Sequence, residues 1–255
     1  MQHKKSNLII LTPGLSGSSV ITALIAKSGY FLGDNTAKIQ YDTFENEKLV
    51  EHNISLLRYT GYQWDDPGDI PPPSVEKIKA LHNVVEVATY RDFVIDCDDS
   101  APWIWKDPRL SYTIFFWKDL LNISDCKFIH ITREPKQVWT GLILRARFPI
   151  SLKNLQTIHK NAISSVRQFL DSYSIKALNL NFEDLILHSE KTLNQINSFL
   201  GLNISLDDLR SVYKGELNRR RWSFFQQMQA YLYFSLYKSA GKELCFPRAL
   251  NSKNV

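Results

Sequence analysis

The chain is poor in the residues that build disulfide scaffolds and metal centres. Its 255 residues include three cysteines, Cys97, Cys126 and Cys245, an odd number with no Cys-x-x-Cys spacing. That pattern points away from a disulfide framework and from a zinc site. Six histidines (His3, His52, His82, His130, His159 and His188) are scattered, with no pair at the ligand spacing of a helix, so no metal is expected. Long apolar runs are also missing. The stretch from Leu8 to Ala26 is interrupted by Pro13, Gly14, Ser16, Gly17, Ser18 and Ser19, which excludes a signal peptide or membrane span and reads as strand, loop and helix. A cytoplasmic protein is the default expectation. There is no Gly/Ser-rich linker, internal repeat, low-complexity segment or coiled-coil heptad, so one domain over residues 1–255 is expected and the oligomeric state is open.

Charge of one sign is not dominant. Lys and Arg number 31 against 26 Asp and Glu, for a net charge of +5, and the basic residues are dispersed apart from Arg219, Arg220 and Arg221. The excess suits an anionic ligand, and in the absence of a nucleic-acid-binding motif no nucleic-acid partner is expected. With 44% hydrophobic and 22% charged residues, the chain has the composition of a folded globular protein.

Short apolar runs at Leu8–Leu11, Trp103–Trp105, Lys127–Thr132 and Ala177–Asn181 read as strands. Helical segments separate them. Val20, Ile21, Leu24 and Ile25 recur at helical spacing, with Gly29 as the expected C-cap. Residues from Glu45 to Tyr59 have helical character, Ser74 can cap a helix carrying Val75, Ile78, Leu81 and Val85, and Leu110–Leu121 is a further helix. Another begins near Pro135, and one with Leu193, Ile196, Phe199 and Leu200 stops at Gly201. Asp65–Ser74, with Pro67, Gly68 and three consecutive prolines, is an exposed loop. Strands alternating with helices imply an α/β fold, a parallel sheet covered on both faces, followed by a helical C-terminal region.

Three constellations carry chemistry. Thr12-Pro13-Gly14-Leu15-Ser16-Gly17-Ser18-Ser19 is a strand-to-helix turn whose small residues let backbone amides converge. Such a concavity suits phosphate or sulfate, with the Ser18 and Ser19 hydroxyls adding hydrogen bonds; an ordinary capped turn is the plain alternative. The Gly-Lys-Ser/Thr ending of a Walker A loop is absent, which disfavours a P-loop nucleotide kinase. Arg133, between a strand end and a helix start, is placed either to grip a phosphate, with Thr140 in support, or to form a local salt bridge. Trp105-Lys106-Asp107-Pro108-Arg109 packs two cations and a carboxylate at another strand end. Lys106 and Arg109 suit the neutralisation of a transferred anionic group, and Asp107 is the expected base for the attacking hydroxyl, with a structural pairing to Arg109 as the alternative.

In this order and spacing the segments resemble the family of sulfotransferases that use 3′-phosphoadenosine 5′-phosphosulfate (PAPS), especially its bacterial members. Thr12–Ser19 is similar to the family's 5′-phosphosulfate loop, Arg133 to the arginine of its 3′-phosphate motif, and Trp105–Arg109 to a segment many bacterial members carry. Asn181-Phe182-Glu183-Asp184-Leu185 and Phe199-Leu200-Gly201-Leu202 are similar to its Tyr-Glu-Asp-Leu and Phe-Leu-Gly-Leu stretches. The resemblance implies a P-loop-like parallel sheet, PAPS as donor, 3′-phosphoadenosine 5′-phosphate (PAP) as product, and in-line transfer to a hydroxyl or amine without a metal. The acceptor would be a small molecule or glycan. Phe182 would then lie where a tyrosine approaches the adenine. Two positions depart from the pattern: Leu15 stands where relatives have Lys or Arg at the bridging oxygen of PAPS, and Gly141 stands where the 3′-phosphate motif has Ser. The departure at Leu15 keeps a second expectation in view, a PAP- or PAPS-binding protein without turnover.

Overall fold

A computed structural model describes residues 5–38, 42–63, 71–146 and 150–239. Cys245 and residues 65–70 of the expected exposed loop lie outside them.

The described elements run β1 (Asn7–Leu11), α1 (Ser18–Ala26), β2 (Thr36–Lys38), β3 (Asp42–Asn46), α2 (Glu47–Tyr59), α3 (Val75–Ala80), α4 (Val87–Asp99), β4 (Ile104–Lys106) and α5 (Leu110–Trp117). There follow β5 (Cys126–Thr132), α6 (Pro135–Leu144), α7 (Leu152–Ser172), β6 (Ala177–Asn181), α8 (Phe182–Leu187), α9 (Ser189–Leu200), α10 (Leu206–Val212) and α11 (Phe224–Ser239).

Four strands form a sheet in the order β4-β1-β5-β6, and each neighbouring pair is parallel. Both faces are buried, as the apolar runs require. Leu8, Ile10, Ile104, Ile129 and Ile131 pack with α1, α8 and α9 on one side. Ile9, Leu11, Trp103, Trp105 and Phe128 pack with α2 to α5 and α7 on the other. The expected α/β architecture is therefore observed.

Several boundaries differ from the sequence reading. α1 ends at Ala26 with Lys27 as its C-cap; Gly29, at φ 89°, serves the turn beyond it. Helix α3 closes at Ala80 into a 3-10 turn, Leu81–Asn83, so Val85 lies outside it. Helix α5 stops at Trp117, short of Leu121. Gly201 does cap α9, at φ 70°. An antiparallel pair, β2 with β3, was not expected.

The topology creates a crevice where chemistry can be placed. After β1 the chain turns into α1 on one face, whereas after the adjacent β4 it turns into α5 on the other. Strands whose connections diverge in this way leave an opening at their carboxyl ends, the usual ligand position in α/β sheets.

Candidate active site

The turn after β1 is shaped by backbone strain and by tight packing. Gly14, Leu15 and Gly17 all have positive φ, at 87°, 53° and 77°. Gly17 is the N-cap of α1, and a Cβ placed there would fall 2.3 Å from the Phe182 ring, so both its conformation and its neighbour demand glycine. The amides of Ser18 and Ser19 open α1, where helix geometry leaves N–H groups without intrahelical acceptors. The hydroxyls of Thr12 and Ser16, both wholly buried, hydrogen-bond to each other across the turn. The Ser111 hydroxyl of α5 donates to the Thr12 carbonyl at 2.8 Å and ties the two sides of the crevice. Leu15 is half exposed.

Across the crevice, Lys106 ends β4 with only 2% exposure. Its Nζ donates to Ser19 Oγ at 3.2 Å and to the Thr43 carbonyl at 3.0 Å, and pairs with Glu45 Oε1 at 2.5 Å. The cation thus reaches the first turn of α1. Glu45 comes from β3, and burial pushes its carboxyl above the usual carboxylate range against the opposing pull of Lys106.

Asp107 is fully buried. Its carboxylate accepts from Asn53 Nδ2 at 2.8 Å, from the Arg109 amide at 3.0 Å and from the Arg109 guanidinium at 3.0 Å. Asn53 in turn accepts from the Thr113 hydroxyl at 2.7 Å and the Trp117 indole at 2.8 Å. A carboxylate so surrounded has its lone pairs committed to shaping the β4–α5 corner. This geometry supports the structural pairing with Arg109 over the expected role of Asp107 as the base.

Arg133, at the end of β5, lies over the same turn. Its Nε faces Glu183 Oε1 at 3.4 Å, a terminal nitrogen reaches the Leu15 carbonyl at 3.5 Å, and the guanidinium sits 5.0 Å above the Phe182 ring. Burial lowers the Arg133 pKa, and Glu183 opposes that shift. Glu183 also accepts the Glu134 amide at 3.0 Å, so one carboxylate fixes the β5–α6 corner. Phe182 is 4% exposed, enclosed by Gly17, Arg133 and Tyr213. In this arrangement its ring positions Arg133 instead of presenting a free face.

Thr140 is buried, and its hydroxyl donates to the Lys136 carbonyl at 2.7 Å, inside its own helix. Gly141 faces Trp222: a Cβ there would stand 3.3 Å from the indole nitrogen. Gln137, also buried, exchanges two 3.1 Å hydrogen bonds with the Trp222 backbone and locks that indole in place. A serine Cβ there would crowd the indole, which would have to give by a few tenths of an ångström.

No protein-family model matches the sequence, and no curated protein does. Solved structures do. A sulfotransferase domain from the curacin biosynthetic pathway superposes with a TM-score of 0.50 over 88% of this chain and 82% of its own, at 15% identity. The chain has the sulfotransferase fold. Two further structures give lower scores: the sulfotransferase domain of the Synechococcus PCC 7002 olefin synthase (TM-score 0.45, 17% identity, 96% of this chain and 98% of that one) and sulfotransferase STF9 from Mycobacterium avium (0.47, 11%, 94% and 78%).

On this sulfotransferase fold, the sequence-expected residues Gly14–Ser19, Lys106 and Arg133 converge on one turn, whereas Asp107 and Arg109 bond each other and Thr140 bonds within its own helix. Glu45, Asn53 and Glu183 escaped the sequence reading. Glu183 lies inside the quoted Asn181–Leu185 stretch, but nothing in the sequence couples Glu45 to Lys106. Among the described residues no group of three His, Cys, Asp or Glu is placed to hold a metal, and no helix is long and apolar enough to cross a membrane.

Proposed function

We propose that this chain is a PAPS-dependent sulfotransferase in which Lys106 supplies the cation that the 5′-phosphosulfate loop lacks at Leu15. The observation that carries the reading is the 3.2 Å contact of Lys106 Nζ with Ser19 Oγ at the opening of α1, made while the same nitrogen holds Glu45. A cation and a carboxylate therefore meet at one end of an anion-binding turn.

The residues divide the reaction as follows. The turn and the α1 dipole hold the 5′-phosphosulfate, and Arg133 holds the 3′-phosphate. The acceptor hydroxyl oxygen attacks sulfur as its proton passes to Glu45. The bond from sulfur to the bridging oxygen breaks, and the electron pair leaves on PAP. Protonation neutralises Glu45, so the Lys106 charge is no longer opposed just as negative charge grows on the bridging oxygen. A carboxyl raised by burial is a stronger base than an exposed one, which fits this task. Arg109, held by Asp107, shapes the corner from behind. No metal enters these steps.

Leu15 itself supports a competing reading, a PAP-binding protein without turnover. Calorimetric titration with PAP, PAPS, ATP and ADP, followed by measurement of PAP release from PAPS in the presence of phenol, alcohol and amine acceptors, tests both. PAP binding with acceptor-dependent release supports the enzyme. Binding without release supports the binder, and tighter binding of ATP than of PAP overturns both.

A further inference from the structure

Helix α7 buries one stripe against the molecule: Leu155, His159, Ala162, Val166, Phe169 and Leu170. Five of the six are apolar. His159 is the exception, 2% exposed, and its Nδ1 has no hydrogen-bond partner. A buried polar atom left unmatched costs about 1–3 kcal/mol, so a chain that keeps one calls for an explanation.

The position of His159 supplies it. The C-terminal end of α7, Ser172, precedes β6 by a short connection, so α7 begins at the opposite edge of the sheet, where the crevice opens. Ser165 Oγ donates to the Ser111 carbonyl at 2.6 Å, and Ser111 Oγ bonds the Thr12 carbonyl at 2.8 Å, which fixes the level of Ser165 close to the anion turn. His159 stands about 9 Å nearer the start of the helix, on the crevice side of that level. It is also close enough to Arg133 to feel its charge: burial, and then Arg133, depress the imidazole to about 4, so it is neutral at pH 7. Meanwhile α6 offers the anion that Arg133 would bind no hydroxyl, because Thr140 donates to Lys136 and Gly141 has no side chain.

We propose that His159 is a further binding residue for the anionic group held by Arg133, its ring N–H donating to the 3′-phosphate of the nucleotide. The inference rests on the sulfotransferase reading and adds a ligand that the resemblance does not supply. It explains one buried imidazole on an apolar stripe and the vacancy left by α6 with a single contact.

The test compares PAP with adenosine 5′-phosphosulfate, which lacks the 3′-phosphate, in wild type, His159→Leu and His159→Gln. The expected result is that His159→Leu weakens PAP about tenfold, the scale of one hydrogen bond to a charged group, and leaves adenosine 5′-phosphosulfate unchanged. His159→Gln, which keeps a donor, recovers part of the loss. The Tm of the ligand-free Leu variant stays at or above wild type, because an unmatched polar group has been removed. In the wild type, the ¹⁵N signals of the His159 ring move with PAP and not with adenosine 5′-phosphosulfate. If PAP binds the wild type and both variants equally and the ring signals stay in place, the inference is overturned. Failure of the wild type to bind PAP at all would instead overturn the sulfotransferase reading.

Discussion

The two walls of the crevice are built by opposite means. The β1–α1 turn has no charged side chain between Thr12 and Ser19; its affinity for an anion would come from amides, hydroxyls and the helix dipole, with glycines allowing positive φ. The β4–α5 corner crowds Lys106, Asp107 and Arg109 into four residues and buries all three, each ion balanced by a partner from elsewhere in the chain or beside it. The difference shows a division of labour. A local turn can create an anion site from sequence neighbours, but a buried cation needs an opposite charge brought by the fold, here Glu45 from β3.

The comparison can be broken most severely at Lys106. Lys106→Ala removes the cation from the crevice and is expected to lower kcat by about 10²–10³, the range for loss of one preorganised electrostatic contact, with PAP affinity changed little. A drop confined to PAP affinity would make Lys106 a binding residue only.

Glu45→Gln comes next, with kcat expected to fall on the order of 10². The carboxylate accepts a proton only when ionised, so wild-type kcat should rise with pH through the Glu45 pKa, which burial holds above the ordinary range. The Gln variant should lose that acidic limb. A limb that persists unchanged in the variant assigns the base elsewhere.

Arg133→Ala tests the turn side. PAP binding should weaken by roughly 1.5–3 kcal/mol, the scale of a charge-assisted hydrogen bond, with a much smaller change for adenosine 5′-phosphosulfate. Equal losses for the two ligands would count against a 3′-phosphate contact.

Asp107→Asn should act on the fold instead of the chemistry. Losing the charge opposite Arg109 is expected to destabilise by about 1–3 kcal/mol, seen as a lower Tm, while kcat per folded molecule stays within a few-fold of wild type. A kcat loss of 10² at unchanged Tm would restore Asp107 as the base.

The same contrast explains what the sequence disclosed. Residues 7–11, 104–106, 126–132 and 177–181 form the four sheet strands because short apolar runs bounded by turns have few other structures open to them. The β1–α1 turn was legible because its glycines and serines act through their own backbone. The antiparallel pair of β2 and β3 was hidden: Thr36–Lys38 is too short and polar to show alternation, and Asp42–Asn46 places one fully apolar residue among four polar ones. With it went Glu45, whose meaning depends on Lys106, 61 residues later. Helix α4 was within reach, since Tyr90, Phe93, Val94 and Cys97 follow helical spacing and are its buried face. The end of α5 was not, because Lys118, Leu120 and Leu121 are good helix residues whose departure from the helix is a tertiary matter. Gly141 shows the same limit, since its lack of a side chain makes sense only once Trp222 is seen beside it.

The central claim is that Lys106 stands in for a loop cation, and charge relocation tests it most directly. PAP release from PAPS would be measured for wild type, Lys106→Ala, Leu15→Lys and the double variant Lys106→Ala with Leu15→Lys. The expected result is collapse in Lys106→Ala, little change in Leu15→Lys alone, and recovery of at least about tenfold of the lost kcat in the double variant, because Leu15 is part of the same turn and a lysine there returns positive charge to it. Full turnover in Lys106→Ala would contradict the claim outright.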